Sequence, residues 1–205
     1  MSSTPYLQSK LYLNGGAIVL AELIDSSQLA ELQAEADANR AGSQRNELGV
    51  SEVAETRGGN PSRSLAAAHG GHTQWQIFSD GRFLDALAEE CGLPVSPTGG
   101  GSYSYYERPG DFLSLHRDVL TCDLTVITCL HDNGGDGGLL VYPQFSHEPL
   151  SVAARAGRNA ATAVAIRTGE SAALLGGVIP HEVAPMRVGQ ERIVSVMCYR
   201  VAGLS

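Results

Sequence analysis

A mainly β domain with flanking helices, its strands folded as a double-stranded β-helix or jelly roll, is what this 205-residue sequence predicts. The first observation behind it is a series of short apolar or alternating runs at 101–106, 111–119, 123–130, 138–142, 162–167, 171–175, 181–184 and 192–200. Glycine-rich and polar turns separate them, which is the pattern of many short strands rather than of strand–helix alternation. The second is helical spacing confined to two stretches of the first hundred residues. The third is a hydrophobic content of 43% over this length, enough for one respectable core. Short strands with tight turns close on themselves as two packed sheets, with room for a buried small-molecule site in the mouth.

Taken in order, Leu11 to Leu23 reads as a strand. Asp25, Ser26 and Ser27 then offer caps for a helix through QLAELQAEADANR, with Leu29 and Leu32 on one face. A second helix follows Ser79 and Asp80, carries Phe83, Leu84 and Leu87 at helical spacing, and is closed by Gly92 before Pro94. Both are expected on the outside of the sheet. Between them, residues 41–75 are rich in glycine, small polar residues, arginine and histidine. Such a segment buries little by itself and reads as a long functional loop, with 43–72 a candidate lid. The expected organisation is a single domain over 1–205, with 1–100 as helical and loop scaffold and 101–205 as the β core. The segment 148–160 fits a helical turn or an irregular loop, and HDNGGDGG (131–138) reads as a hairpin connection. It lacks the alternating oxygen donors and distal glutamate of a calcium loop.

The chemistry concentrates at His116-Arg117-Asp118 and at His181, 63 positions later (181 − 118). Residues i and i+2 of a strand share a face, so His116 and Asp118 aim an imidazole and a carboxylate at one point while Arg117 faces away. Alone this triplet is weak, since roughly a quarter of shuffled chains of this composition contain one. Its setting therefore decides. His181 ends another apolar run and completes a 2-His-1-carboxylate set with open positions, the arrangement of non-haem Fe(II) oxygenases. Eleven residues past His181, Arg192 begins the β-rich run RIVSVMCYRV. A planar guanidinium near an open iron site suits a dicarboxylate co-substrate such as 2-oxoglutarate.

At Tyr106 to Asp118, Leu124 to Tyr142 and Gly169 to Val196 the chain resembles the iron(II)- and 2-oxoglutarate-dependent dioxygenases, in their prolyl-hydroxylase-like branch. The resemblance covers about residues 100–200, half of the chain. It implies the cupin-like jelly roll, Fe(II) on His116, Asp118 and His181, and 2-oxoglutarate held by Arg192 with Tyr106 and Tyr103. It also implies O₂ as second co-substrate, with succinate and CO₂ released, and a hydroxylation or desaturation outcome because the carboxylate ligand Asp118 is present. One departure touches the co-substrate. The serine that commonly follows the family's basic residue by two positions is here Val194, and the serine is Ser195.

The polar segment supplies the expected substrate contacts, Arg57, Arg63 and His72, with His69 nearby. The expected partner is a small carboxylate-bearing metabolite such as an amino acid or natural-product intermediate; a peptidyl substrate, as for prolyl hydroxylases, is the alternative. A net charge of −8 argues against nucleic acid, whose phosphates need a concentrated basic surface. No run of 18 apolar residues and no basic-then-apolar leader is present, so no membrane partner and a cytoplasmic location are expected. Cys91, Cys122, Cys129 and Cys198 share no metal-binding spacing, and the last three sit in apolar runs as small buried hydrophobes. Phosphate-loop and dinucleotide glycine patterns and a nucleophile elbow are missing, which removes nucleotide-binding and serine-hydrolase readings. Two rivals remain: a cupin-like metalloenzyme that works without a keto acid, and a non-catalytic binding domain of the same fold. Arg192 distinguishes the first, and the intact ligand set the second.

Overall fold

The computed structural model describes residues 5–53, 55–134 and 138–204. The tip of the 131–138 connection lies outside the described residues. In chain order the elements are α1 (Lys10–Leu13), β1 (Ala17–Leu20), α2 (Ser26–Arg40), β2 (Gln44–Leu48), β3 (Glu52–Val53), β4 (Gly59–Asn60), β5 (Arg63–His69), α3 (His72–Ser79), α4 (Gly81–Cys91) and β6 (Val95–Tyr106). They continue as β7 (Phe112–His116), β8 (Leu124–Asp132), β9 (Leu139–Val141), α5 (Leu150–Ala156), β10 (Thr162–Val164), β11 (Ser171–Leu174), β12 (His181–Val183) and β13 (Arg192–Val201).

The main strands form one curled sheet in the order β1-β11-β8-β13-β6-β5-β7-β12-β9-β10, antiparallel throughout, with β2 added to β5. β7, β12, β9 and β10 make one wall and β11, β8, β13 and β6 the other. The chain crosses between walls as it passes from β7 to β8, β8 to β9, β10 to β11, β11 to β12 and β12 to β13. That crossing pattern closes the expected jelly roll into a nearly complete barrel.

Strand alternation assigns the two faces. Along β6, Tyr103 and Tyr105 point outward and are buried under helices: their phenols donate to Glu35 Oε2 (2.6 Å) and to the Ala36 carbonyl (2.7 Å) of α2. Along β13, Ser195 faces the same way and meets Gln74 Nε2 of α3 at 2.7 Å, while Tyr199 donates to the Phe78 carbonyl at 2.9 Å. This outer layer, completed by Leu32, Phe78, Phe83 and Leu87, is the principal core. Ser102, Ser104 and Tyr106 of β6 and Arg192, Val194 and Val196 of β13 face the barrel interior instead, where Leu65, Tyr106, Met186 and Val194 form a smaller apolar cluster.

The two expected helices form where their caps stand. Asp25 accepts from Gln28 N (2.8 Å) and Gln28 Oε1 from Asp25 N (3.0 Å), a reciprocal capping box on α2. Asp80 caps α4, and Gly92 ends it in the left-handed conformation at φ 67°. The expected strand over Leu11–Leu23 divides. Ser9 accepts from Tyr12 N and nucleates α1, and Gly15 and Gly16, at φ 82° and 77°, turn the chain before β1 begins.

The segment 43–72 differs most from the sequence reading. It holds β2 and β5, paired from Gln44↔Ala67 to Leu48↔Arg63, and β5 continues the sheet between β6 and β7. Small residues there mark a strand pressed closely between neighbours. α3 was hidden because its cap is not local: Glu35 of α2 accepts from Thr73 N (2.7 Å) and Gln74 N (3.0 Å) at its first turn. The cysteine reading also needs correction. Cys122 and Cys198 form a disulfide across the adjacent strand ends of β8 and β13, joining residues 76 apart, while Cys129 is free and buried as expected and Cys91 is free and buried as well.

Candidate metal and co-substrate site

His116 ends β7 and His181 begins β12, and the two are directly paired across the strands. Their rings lie 4.2 Å apart between centroids, on the interior face. Asp118 follows just beyond β7. Its Oδ1 stands 3.6 Å from the Nε2 of each histidine, a separation that fits donors around an ion about 2.1 Å from each. Among the described residues, these three are the group of metal-ligating side chains that converges, all donor atoms within 4.8 Å of one another.

Backbone carbonyls set the imidazoles. His116 Nδ1 meets the Ser114 carbonyl at 2.8 Å and His181 Nδ1 the Ile179 carbonyl at 2.9 Å. Protonating Nδ1 for those bonds leaves each Nε2 lone pair facing the shared point. Asp118 is set by two neighbours. Thr125 donates to its Oδ2, its own N–H donates to the Gly176 carbonyl (2.8 Å), and Gly176 presses so close that a Cβ there would overlap the carboxylate. Burial opposes ionisation of Asp118, but His181 and His116 outweigh it and hold its carboxyl well below the usual range. Burial and then His181 push His116 down, whereas at His181 the pull of Asp118 overcomes burial and raises it. The site thus turns a carboxylate oxygen and two imidazole Nε2 atoms toward one point. That is the donor set a divalent metal takes.

The ligands open onto a cavity of about 200 Å³ between the walls. Its lining alternates from three neighbouring strands: Ser102, Ser104 and Tyr106 of β6, Thr125, Ile127 and Cys129 of β8, and Arg192, Val194 and Val196 of β13. Arg192 and Tyr106 face each other across the β13–β6 register, both almost fully buried. Burial raises the Tyr106 phenol despite the nearby Arg192 charge, so it stands protonated as a donor. Its hydroxyl has no hydrogen-bond partner among the described residues.

Other expected contacts fall elsewhere. Tyr103 cannot reach the cavity, because the alternation that turns Tyr106 inward turns Tyr103 out to Glu35. Ser195, one position from where the missing serine would stand, likewise points outward to Gln74. Arg57 is not free for substrate: it donates to the carbonyls of Asp118 (3.3 Å), Val119 (3.0 Å) and Cys122 (2.6 Å) and to Asp123 (2.8 Å), pinning the loop that carries the metal carboxylate. His72 is exposed at the start of α3, across the sheet from the cavity. Arg63 alone of the three shares the face of β5 that carries Leu65, and its guanidinium donates to the Pro61 carbonyl (3.0 Å) and to Asn60 Oδ1. Sequence reasoning missed Thr125 and Gly176. The paired glycines of LLGGVIPH were the available signal, since Gly177 too lies where a Cβ would come 2.6 Å from the Arg57 guanidinium carbon.

No protein-family model and no curated protein sequence matches this chain significantly. Solved structures do. SnoN, a non-heme alpha ketoglutarate dependent epimerase from nogalamycin biosynthesis, superposes with a TM-score of 0.67 at 16% identity, covering 92% of this chain and 77% of its own. A second SnoN structure holds Fe3+, alpha ketoglutarate and nogalamycin RO. A Pseudomonas putida prolyl-4-hydroxylase matches at 0.60 with 18% identity over 93% of this chain and 95% of its own. The fold is that of the iron(II)/2-oxoglutarate-dependent oxygenases. EctD from S. alaskensis, solved with 2-oxoglutarate and 5-hydroxyectoine, extends the oxygenase likeness at 0.61 and 20% identity, over 90% of this chain and 72% of that one. Among the described residues, no helix is long and apolar enough to cross a membrane.

Proposed function

We propose that this protein is an Fe(II)- and 2-oxoglutarate-dependent oxygenase that hydroxylates or desaturates an unactivated C–H bond of a small metabolite, an amino acid or natural-product intermediate. The observation that carries the reading is one cavity with the His116, Asp118 and His181 donors on its wall and the Arg192–Tyr106 pair on its lining. His116 and His181 bind the metal through Nε2 and Asp118 through Oδ1, while Arg192 and the Tyr106 hydroxyl take the distal carboxylate of the keto acid. Iron, 2-oxoglutarate and O₂ together supply the oxidant for C–H cleavage, with succinate and CO₂ as co-products. Ile127, Leu139, Ile166, Val183 and Val194 line the same space and exclude water from the reacting atoms.

A small-molecule substrate is supported by the chemistry of SnoN and EctD, whose structures hold nogalamycin RO and 5-hydroxyectoine. Arg63, on the face of β5 that carries Leu65, is the substrate contact retained from the polar segment. A peptide substrate is the second reading, favoured by a likeness to a Trichoplax adhaerens prolyl hydroxylase solved with a peptide fragment, TM-score 0.59 at 16% identity, covering 92% of this chain and 86% of that one. The deciding experiment is succinate release by Fe(II)-loaded protein across a panel of metabolites and proline-containing peptides, with mass spectrometry for a gain of oxygen or loss of two hydrogens. Absence of 2-oxoglutarate turnover, coupled or uncoupled, would sink the reading.

A further inference from the structure

β8 carries a bulge beside the co-substrate end of the cavity. Thr125, Ile127 and Cys129 face inward along this strand, so strict alternation would next turn His131 in and Asp132 out. Pairing with β13 instead slips by one residue between Val194↔Cys129 and Ile193↔His131. His131 is consequently exposed and Asp132 lies opposite Arg192. A bulge that re-aims one side chain next to a binding site is a built feature of a sheet.

The Asp132 side chain is 3% exposed and its Oδ2 accepts from both Nε (3.1 Å) and Nη2 (2.8 Å) of Arg192. One edge of the guanidinium is thereby occupied. Nη1 has no hydrogen-bond partner among the described residues, and Gly138, at φ 59°, passes so near that a Cβ there would stand 2.7 Å from it. The carboxylate holds one edge of the fork and Gly138 lies close to the other, while Arg192 and Tyr106 line the cavity side by side.

We infer that Asp132 is a positioning residue for the co-substrate: it holds Arg192 by the Nε–Nη2 edge so that the Nη1 edge and the Tyr106 hydroxyl receive one carboxylate together. This rests on the reading of the site as a 2-oxoglutarate site. A residue that acts only through Arg192 has an effect that vanishes when Arg192 is gone, whereas a residue that merely supports the strand does not.

The test is anaerobic calorimetric titration of 2-oxoglutarate into Mn(II)-loaded protein for wild type, Asp132→Ala, Arg192→Ala and the double variant. Asp132→Ala is expected to weaken 2-oxoglutarate about 10- to 100-fold, as loss of an orienting partner does, with Mn(II) affinity unchanged. In the Arg192→Ala background the same substitution is expected to change it less than about threefold. Should Asp132→Ala lose Mn(II) binding, Asp132→Asn, which keeps an acceptor in place, carries the test with a weakening of about three- to tenfold confined to the native Arg192 background. Equal weakening in both backgrounds, or none in either, overturns the assignment. Wild-type protein that binds Mn(II) but no 2-oxoglutarate overturns the co-substrate reading itself, and the role of Asp132 falls with it.

Discussion

The two ends of the cavity differ in how far their donors are fixed in advance. At the metal end each ligand is already fixed by a partner behind it: Ser114 and Ile179 carbonyls on the histidines, Thr125 and Gly176 on Asp118. At the co-substrate end the Tyr106 hydroxyl has no such partner among the described residues, and Arg192, held by Asp132 along its Nε–Nη2 edge, keeps Nη1 without one. The difference separates geometry from affinity. A metal site needs donors locked before the ion arrives, whereas an anion site needs donors held in reserve for a ligand that comes and goes.

The largest effects should follow from breaking the metal end. His116→Ala, Asp118→Ala and His181→Ala are each expected to abolish Fe(II) binding and turnover while the circular dichroism spectrum stays native, since each removes one of three anchoring donors. Wild-type metal affinity in any of them would refute the site. Arg192→Ala comes next. It should leave metal binding intact and weaken 2-oxoglutarate by about 30- to 1000-fold, the worth of a charge-assisted contact at roughly 2–4 kcal/mol. Isothermal titration with and without metal separates the two ends.

Thr125→Val and Gly176→Ala sharpen the comparison, because neither residue is itself a metal ligand yet each sets the Asp118 carboxylate. Each is expected to lower metal affinity about 10- to 100-fold and to leave the ratio of 2-oxoglutarate to succinate binding unchanged. The smallest expected effect lies outside the cavity. Buried Asp111 takes hydrogen bonds from Arg45, Ser64 and the Glu107 and Arg108 amides; burial opposes its ionisation, but Arg45 and the amides hold its carboxyl below the usual value. A depressed folded-state pKa contributes stability that is full above the unfolded value near 4 and is lost as pH falls through the folded one. Urea unfolding between about pH 5 and pH 2.5 should therefore weaken less steeply in Asp111→Asn than in the wild type.

Much of this site was legible because it rests on short-range rules. The i, i+2 relation put His116 and Asp118 on one face with Arg117 away from it, and the apolar runs located most strands from β7 to β13 within a few residues. The same parity rule, applied to β6, separates Tyr103 from Tyr106 and would have removed Tyr103 from the co-substrate site. What stayed hidden depends on contacts distant in sequence. The cap of α3 comes from Glu35, the pinning of the 118–123 loop from Arg57, and the Cys122–Cys198 bond from strands whose adjacency no local spacing reveals. The slip on β8 is hidden for another reason: its phase depends on pairing with β13, so CLHD alone reads as unbroken alternation.

Arg117, turned away from the metal, has a consequence for how this end of the protein opens. Its buried guanidinium donates to the carbonyls of Glu55, Thr56, Phe145, Ser146, Glu148 and Val178, from three separate connections. One donor shared so widely makes those connections a single cooperative unit: releasing any of them leaves a charge uncompensated for the rest. Amide hydrogen exchange should find 55–57, 145–150 and 176–179 unprotected together or not at all. Lysine at 117, with three donors and no fork, should let them exchange one by one.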